Sequence, residues 1–247
     1  MSPRPAALFV GSLGFVTAAG VLAAGCGGPG LGDLSGKSAD EIMNLALSNA
    51  EAQSGVHYQL HATTGTQTQV ITGDAGQTEG EQEVATGSNV VDVQLIGAMA
   101  YVKGNAGGLQ FTIGLPAAVA TAYANKWISV VSSDSLFQPI TQAVTVKGIF
   151  SQLKPSGTLS TGAPTTIDGQ DAVGVSGGLP GQVTQGVTGT AVLYVTLHRT
   201  NLPVAFSGTA REAQRHVTDI GAFSRWGEHL ALTPPSGAVA FSSLPKS

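Results

Sequence analysis

The chain is short of charge. Lys, Arg, Asp and Glu together make up 11% of its 247 residues, against roughly a quarter in an ordinary soluble domain. Eleven basic and fifteen acidic side chains leave a net charge of −4, and the basic ones form no run. Mild acidity without a basic patch argues against nucleic acid as a partner and against electrostatic docking on anionic lipid. Cysteine occurs once, at Cys26. No disulfide can form within the chain, so burial alone must hold the fold. Aromatic residues are few, at 6%.

Catalytic and metal-binding patterns are also missing. His57 and His61 stand four apart on an alternating segment, which separates them by about 13 Å along one strand face. That is too far for one metal ion, and His198, His216 and His229 add no cluster of ligand spacing. No Gly-x-Ser-x-Gly elbow is present, and Ser151-Gln152-Leu153-Lys154 reads as a polar helix end before a proline loop. Gly104-Asn105-Ala106-Gly107-Gly108 reads as a turn between strands rather than a phosphate cradle. Glu79, Glu81 and Glu83 alternate on one face, as on a solvated edge that discourages strand addition. Nothing asks for an enzyme, a catalytic residue, a metal or a cofactor.

What is present begins at the N-terminus. Arg4 precedes an uncharged run from Pro5 to Gly25, which ends Val21-Leu22-Ala23-Ala24-Gly25-Cys26. A positive start, an apolar middle and small residues before a cut site make an export signal. With cysteine next, the segment resembles the lipobox of bacterial lipoproteins, although Ala23 stands where that pattern usually has Leu. The resemblance implies a signal at 1–25 and a lipidated Cys26 that holds the protein at the extracytoplasmic face of the cell membrane. A retained membrane-spanning helix fits less well, because Gly11, Gly14 and Gly20 interrupt the run and no positive cluster follows it. More than one acyl chain is needed for a stable anchor. Residues 26–37 then read as the lipidated cysteine and a glycine-rich spacer, with one domain over 38–247.

Ser38-Ala39-Asp40-Glu41 has the form of a capping box. Ile42, Met43, Ala46 and Ala50 follow at helical spacing up to Ser54-Gly55. From Val56 the period becomes two. Strands are expected at 56–63, 66–72, 77–86, 89–96, 99–103 and 109–113, joined by Gly, Asp and Asn turns. Helices are expected at 115–126 and within 135–153, and a loop at 155–164. Strands resume at 165–167, 171–176, 190–198, 202–209 and 228–232. The pattern predicts an α+β fold: a largely antiparallel sheet, with an N-terminal helix and a central helical insertion covering one apolar face.

Tyr58, Met99, Tyr101, Phe111, Trp127, Phe137, Phe150 and Phe206 are expected on the concave side of that sheet or on the helices over it. They make either an ordinary core or the lining of an apolar cavity that the helices fail to close, and composition does not separate the two.

Several motifs then coincide: the capped helix ending Ser54-Gly55-Val56-His57, Ala100-Tyr101-Val102-Lys103-Gly104, Ala124-Asn125-Lys126-Trp127-Ile128, Leu202-Pro203-Val204, and the stretch from Trp226-Gly227-Glu228 to Pro234. Their order resembles the actinobacterial lipoproteins related to LppX and LprG, within the wider LolA and LolB superfamily of lipoprotein carriers. The resemblance spans about Ser38 to Leu244. It implies a strongly curved half-barrel sheet with helices packed on its concave face, an apolar pocket between them, and a lipid or acylated ligand carried across the envelope without catalysis. An envelope protein that has a closed core and binds a protein partner is the alternative.

Overall fold

The structure, a computed structural model, describes residues 32–180, 187–212 and 215–245. The expected signal, Cys26 and the start of the spacer lie outside the described residues. The rest of the spacer is ordered sooner than expected. Gly32–Leu34 forms a 3-10 turn whose Leu34 is fully buried. The Asp33 amide donates to the Leu197 carbonyl, and the Arg199 amide donates to the Asp33 carboxylate. A leucine with a core to enter outweighs the flexibility of the glycines around it.

Helix α1, Ala39–Glu51, opens on the expected capping box. The Glu41 amide donates to Ser38 Oγ at 3.3 Å, and the Ser38 amide donates to Glu41 Oε2 at 2.7 Å. These bonds favour the charged carboxylate and hold Glu41 below its ordinary pKa. Replacing Ser38 with Ala is expected to lower stability by about 1 kcal/mol, read as a lower urea midpoint at unchanged slope.

Five strands follow as a meander: β1 Gly55–Thr64, β2 Gln67–Gly76, β3 Glu79–Thr86, β4 Asn89–Ile96 and β5 Met99–Gly104. Then come α2 Ala106–Phe111, α3 Ala117–Ala122, β6 Ile128–Val131, α4 Phe137–Val144 and α5 Val146–Leu153. The chain continues as β7 Ser156–Ile167, β8 Gln170–Gly178, β9 Val187–Thr196, β10 Pro203–Glu212, β11 Arg215–Ser224 and the short β12 Val239–Ala240.

Among the described residues these strands form one curved, unclosed sheet in the order β12-β6-β5-β4-β3-β2-β1-β11-β10-β9-β8-β7. All neighbours are antiparallel except β12 and β6. The first strand therefore pairs with the last long one at the centre of the sheet. Helices α4 and α1 lie over the two halves, α4 against β2 to β5 and α1 against β7, β8 and β10.

Several expectations are corrected here. Residues 109–113 are not a strand: Asn105 caps α2, accepting from the Gly108 amide at 2.7 Å. The Gly104–Gly108 stretch thus opens a short helix instead of joining two strands. Residues 156–167, expected as a loop up to Pro164, form the edge strand β7. Residues 228–232, expected as a strand, lie outside any strand. Residues 215–224 form a full strand that the alternation pattern did not suggest. Glu79, Glu81 and Glu83 sit on β3, which is flanked by β2 and β4, so they do not guard an edge.

The candidate site on the concave face

Alternate residues of each strand face inward, and the strand register lines them up in rows across the sheet. The row nearest the start of β1 runs Phe223, Tyr58, Gly73, Gln82, Val93. The next runs Phe206, Gly221, Leu60, Ile71, Val84, Val91. The one after it runs Gly208, Asp219, Ala62, Gln69, Thr86, Asn89. The first two rows are mainly apolar, and the third is mainly polar. Along β1 the inward side chains are 0% exposed at Val56 and Tyr58, 6% at Leu60 and 9% at Ala62. The concave face therefore opens gradually toward the β1–β2 turn, which we call the open end.

The apolar side chains over this face form two clusters rather than one. The first joins α1 and α5 to β1, β2 and β8 to β11, through residues such as Ile42, Phe150, Leu193 and Phe206. The second joins α2, α3 and α4 to β4, β5 and β6, through Leu109, Ile140, Val93 and Ile128. Val84 on β3 belongs to the first and its register partner Val91 on β4 to the second. A seam thus runs along β3 and β4.

A buried polar contact crosses the seam. The Tyr58 hydroxyl lies 2.9 Å from Gln82 Oε1 and 3.1 Å from the Ala143 carbonyl at the end of α4. Its ring reaches them across Gly73, where a Cβ would stand 2.6 Å from the hydroxyl oxygen. Burial pushes the Tyr58 pKa up, with a smaller contribution from Asp74. Gln82 is 4% exposed, and its Nε2 has no partner. Turning the amide over would only transfer that vacancy to the oxygen.

Asp219 stands apart in the third row. Its strand neighbours are Ala62 and Gly208, neither of which carries charge, and desolvation pushes its pKa up to about 7. A carboxyl whose folded pKa lies above its unfolded one destabilises the fold fully at pH above the folded value. That cost fades as pH falls from about 7 toward 4, where the group is protonated in both states. Asp219→Asn is therefore expected to stabilise the protein at pH 8.5 by about 2 kcal/mol, allowing for partial solvent access. The gain should nearly vanish at pH 4.5, as thermal melts at the two pH values would show.

The structure brings some of the expected residues together and separates others. Tyr58, Phe150 and Phe206 lie in the first cluster and Phe137 in the second. Phe150 packs on Phe223 and Trp226, with ring centroids 4.9 and 5.5 Å apart. Phe111 is corrected: it ends α2 and is 66% exposed. Met99 and Tyr101 alternate with the inward Ala100 and Val102, so the register turns them to the convex side. Trp127 is next to the inward Ile128 and carries Lys103 Nζ 4.8 Å from its ring centroid. Lys103 also pairs with Asp92 at 2.8 Å. These three are placed away from the concave face.

On the convex side His57 is tied into a charged group. Asp74 Oδ1 lies 2.7 Å from His57 Nδ1 and 2.5 Å from Arg225 Nη2, and Arg225 Nε is 3.4 Å from Glu228 Oε2. Glu228 is pushed above its ordinary pKa, mainly by desolvation and then by Asp74. The group fastens the chain after β11 to β1 and β2. Among the described residues no set of three His, Cys, Asp or Glu is placed to hold a metal ion. No described helix is long and apolar enough to cross a membrane.

Sequence reasoning missed Gln69, Gln82 and Asp219. Gln82 was detectable, since it falls in phase with Gly80 and Val84 rather than with the glutamates of β3.

No protein-family model and no curated protein matches the chain. Its structural neighbours are LppX, LprF and LolA-superfamily proteins. The lipoprotein LppX of Mycobacterium tuberculosis is similar at 14% identity and a TM-score of 0.48, over 79% of this chain and 98% of LppX. LprF of Mycobacterium bovis is similar at 14% and 0.48, over 81% and 97%. A LolA superfamily protein of Nitrosomonas europaea is similar at 11% and 0.28, over 79% and 95%.

Proposed function

We propose that the protein is a membrane-tethered lipoprotein that binds lipid through its acyl chains on the concave face of the sheet and carries it within the cell envelope. The observation that carries this reading is the division of the apolar interior into two clusters on one sheet. The sheet stays paired across β3 and β4, so room for a chain comes from the helices of the two clusters shifting apart over it. An acyl chain entering that seam gains about 0.8 kcal/mol per methylene removed from water. No charged contact and no catalytic group is required, so the activity is binding and transfer, not turnover.

The tether follows from Cys26, whose surroundings resemble a lipobox. Six residue steps separate Cys26 from Gly32, a reach of about 20 Å. The described residues begin beside Leu197, just past the end of β9. The open end lies at the start of that strand, ten residues away, or about 33 Å. An upright molecule would therefore present its open end away from the bilayer that holds Cys26, toward a receiving partner or membrane.

The near-complete shielding of the inward side chains favours a second reading, a packed envelope protein whose partner is another protein. Lipid extraction and mass spectrometry of the chain from residue 27, purified from a bacterial host, separates the two. Every element among the described residues lies from residue 32 onward, so this chain keeps all of them. A stoichiometric co-purified lipid is expected. A lipid-free protein that also takes up no added lipid would overturn carriage in favour of the packed reading.

A further inference from the structure

The third inward row at the open end carries unsatisfied polar chemistry that an acyl chain cannot use. Asp219 sits between Gly208 and Ala62, with the Phe206 ring lying over Gly208. Of its two strand neighbours only Ala62 brings a side chain to it, and that is a methyl group. On the far side of Ala62 stands Gln69. Its Nε2 donates to Thr86 Oγ1 at 3.2 Å, while its Oε1 is buried without a partner among the described residues. Asp219 and Gln69 are two strands apart, about 10 Å between backbones, on the inward side of the sheet to either side of Ala62.

We propose that Asp219 and Gln69 form a head-group site that admits an uncharged, hydroxyl-bearing lipid head and refuses an anionic one. This rests on the reading that acyl chains enter the concave face. The chemistry follows from the two groups. An ionised carboxyl needs a donor and repels a second anion. The Gln69 amide presents a free oxygen as placed, or a free N–H₂ if Thr86 donates and the amide is turned over. A hydroxyl donates and accepts, so it satisfies Asp219 and either setting of the amide. An ester without hydroxyls offers Asp219 nothing, and a carboxylate or phosphate head meets it with like charge. The raised Asp219 pKa fits the same picture, since partial desolvation works against the charge and neither strand neighbour offsets it. The site lies one row beyond Leu60 and Phe206, where a chain threaded into the apolar rows would leave its head.

Three probes with one acyl chain test this: monoolein with two hydroxyls, methyl oleate with none, and oleate with a charge. Each is titrated at pH 8.5 against Nile red bound to the chain from residue 27, and against its Asp219→Ala and Gln69→Leu variants. Monoolein is expected to displace the dye at least fivefold better than methyl oleate and at least tenfold better than oleate. Either substitution should bring monoolein and methyl oleate within twofold. In Asp219→Ala, oleate should also gain at least fivefold. Neither variant should lose Nile red, which reports that the apolar rows remain intact. If all three probes bind equally well to the unaltered protein, the head-group site is wrong while acyl binding stands. The same holds if the preference survives in both variants. If neither Nile red nor any probe binds, acyl binding itself is refuted and the head-group site falls with it.

Discussion

Replacing Ala62 with Trp is expected to cut acyl-chain uptake at least tenfold while leaving the protein folded. Ala62 is the last apolar inward residue of β1 before the open end, with only Thr64 beyond it, and with 9% exposure it is among the least shielded side chains of the core. Its partners across the strands are Asp219 and Gln69, so an indole there would cover the mouth rather than displace the packed rows behind it. Overpacking a closed core costs typically 1–3 kcal/mol, but at a partly open position the ring can lean toward solvent. The outcomes divide cleanly: lost uptake with a thermal midpoint within a few degrees supports entry at this end. Undiminished uptake would place the entry elsewhere.

The largest effect on stability is expected at Gly80. A Cβ at this position of β3 would stand 2.0 Å from the Val144 carbonyl oxygen, which is backbone at the end of α4. No side-chain rotation relieves that contact. Either α4 lifts from β3 or the strand bends, and both disturb the Tyr58–Ala143 contact that spans the seam. Gly80→Ala should therefore destabilise by about 4 kcal/mol, above the usual range for overpacking. The reduced freedom of the unfolded chain offsets only about 0.4–1 kcal/mol of this. Urea denaturation measures the loss directly. A variant as stable as the parent would show that α4 does not rest on β3 as described.

The α+β class, the capped first helix and the β1–β5 meander were legible in the sequence because local rules agree there. Ser38 and Glu41 cap, Val56 to Ala62 alternate, and Gly-containing turns punctuate the strands. Strand β7 was not legible. It is an edge strand with both faces largely exposed and register shifts against β8, so its sequence has no face to hide and shows no alternation. Its Pro164 is tolerated because an edge position spares one set of ladder bonds. Strand β11 was hidden for another reason. Its inward residues are Val217, Asp219, Gly221 and Phe223, and a carboxyl and a glycine occupy places where a core strand would put apolar side chains. At Gly221 the Leu60 side chain takes the room a Cβ would fill, its Cδ2 lying 2.4 Å from that position. Asp219 meets no comparable packing demand. Sequence rules tend to fail where a protein departs from packing for a purpose, which is why Asp219 is assigned to recognition and not to the core.

The same contrast explains the aromatic residues. Tyr58, Phe137, Phe150 and Phe206 alternate or recur with apolar neighbours and are drawn inward. Tyr101 and Trp127 occupy the opposite phase of their segments, so Tyr101, though buried, lies on the other face. For strand residues, phase decides the face.

Photo-crosslinking tests the central claim most directly. A palmitic acid carrying a diazirine along its chain would be bound to the chain from residue 27, irradiated, and the adducts mapped by peptide mass spectrometry. Adducts are expected on the inward residues from the open end to the seam, at Leu60, Ala62, Val84 and Val91, and on Ile140 or Val144 of α4. Adducts confined to the convex face or to the exposed Phe111, or none above the level of denatured protein, would contradict acyl binding on the concave face.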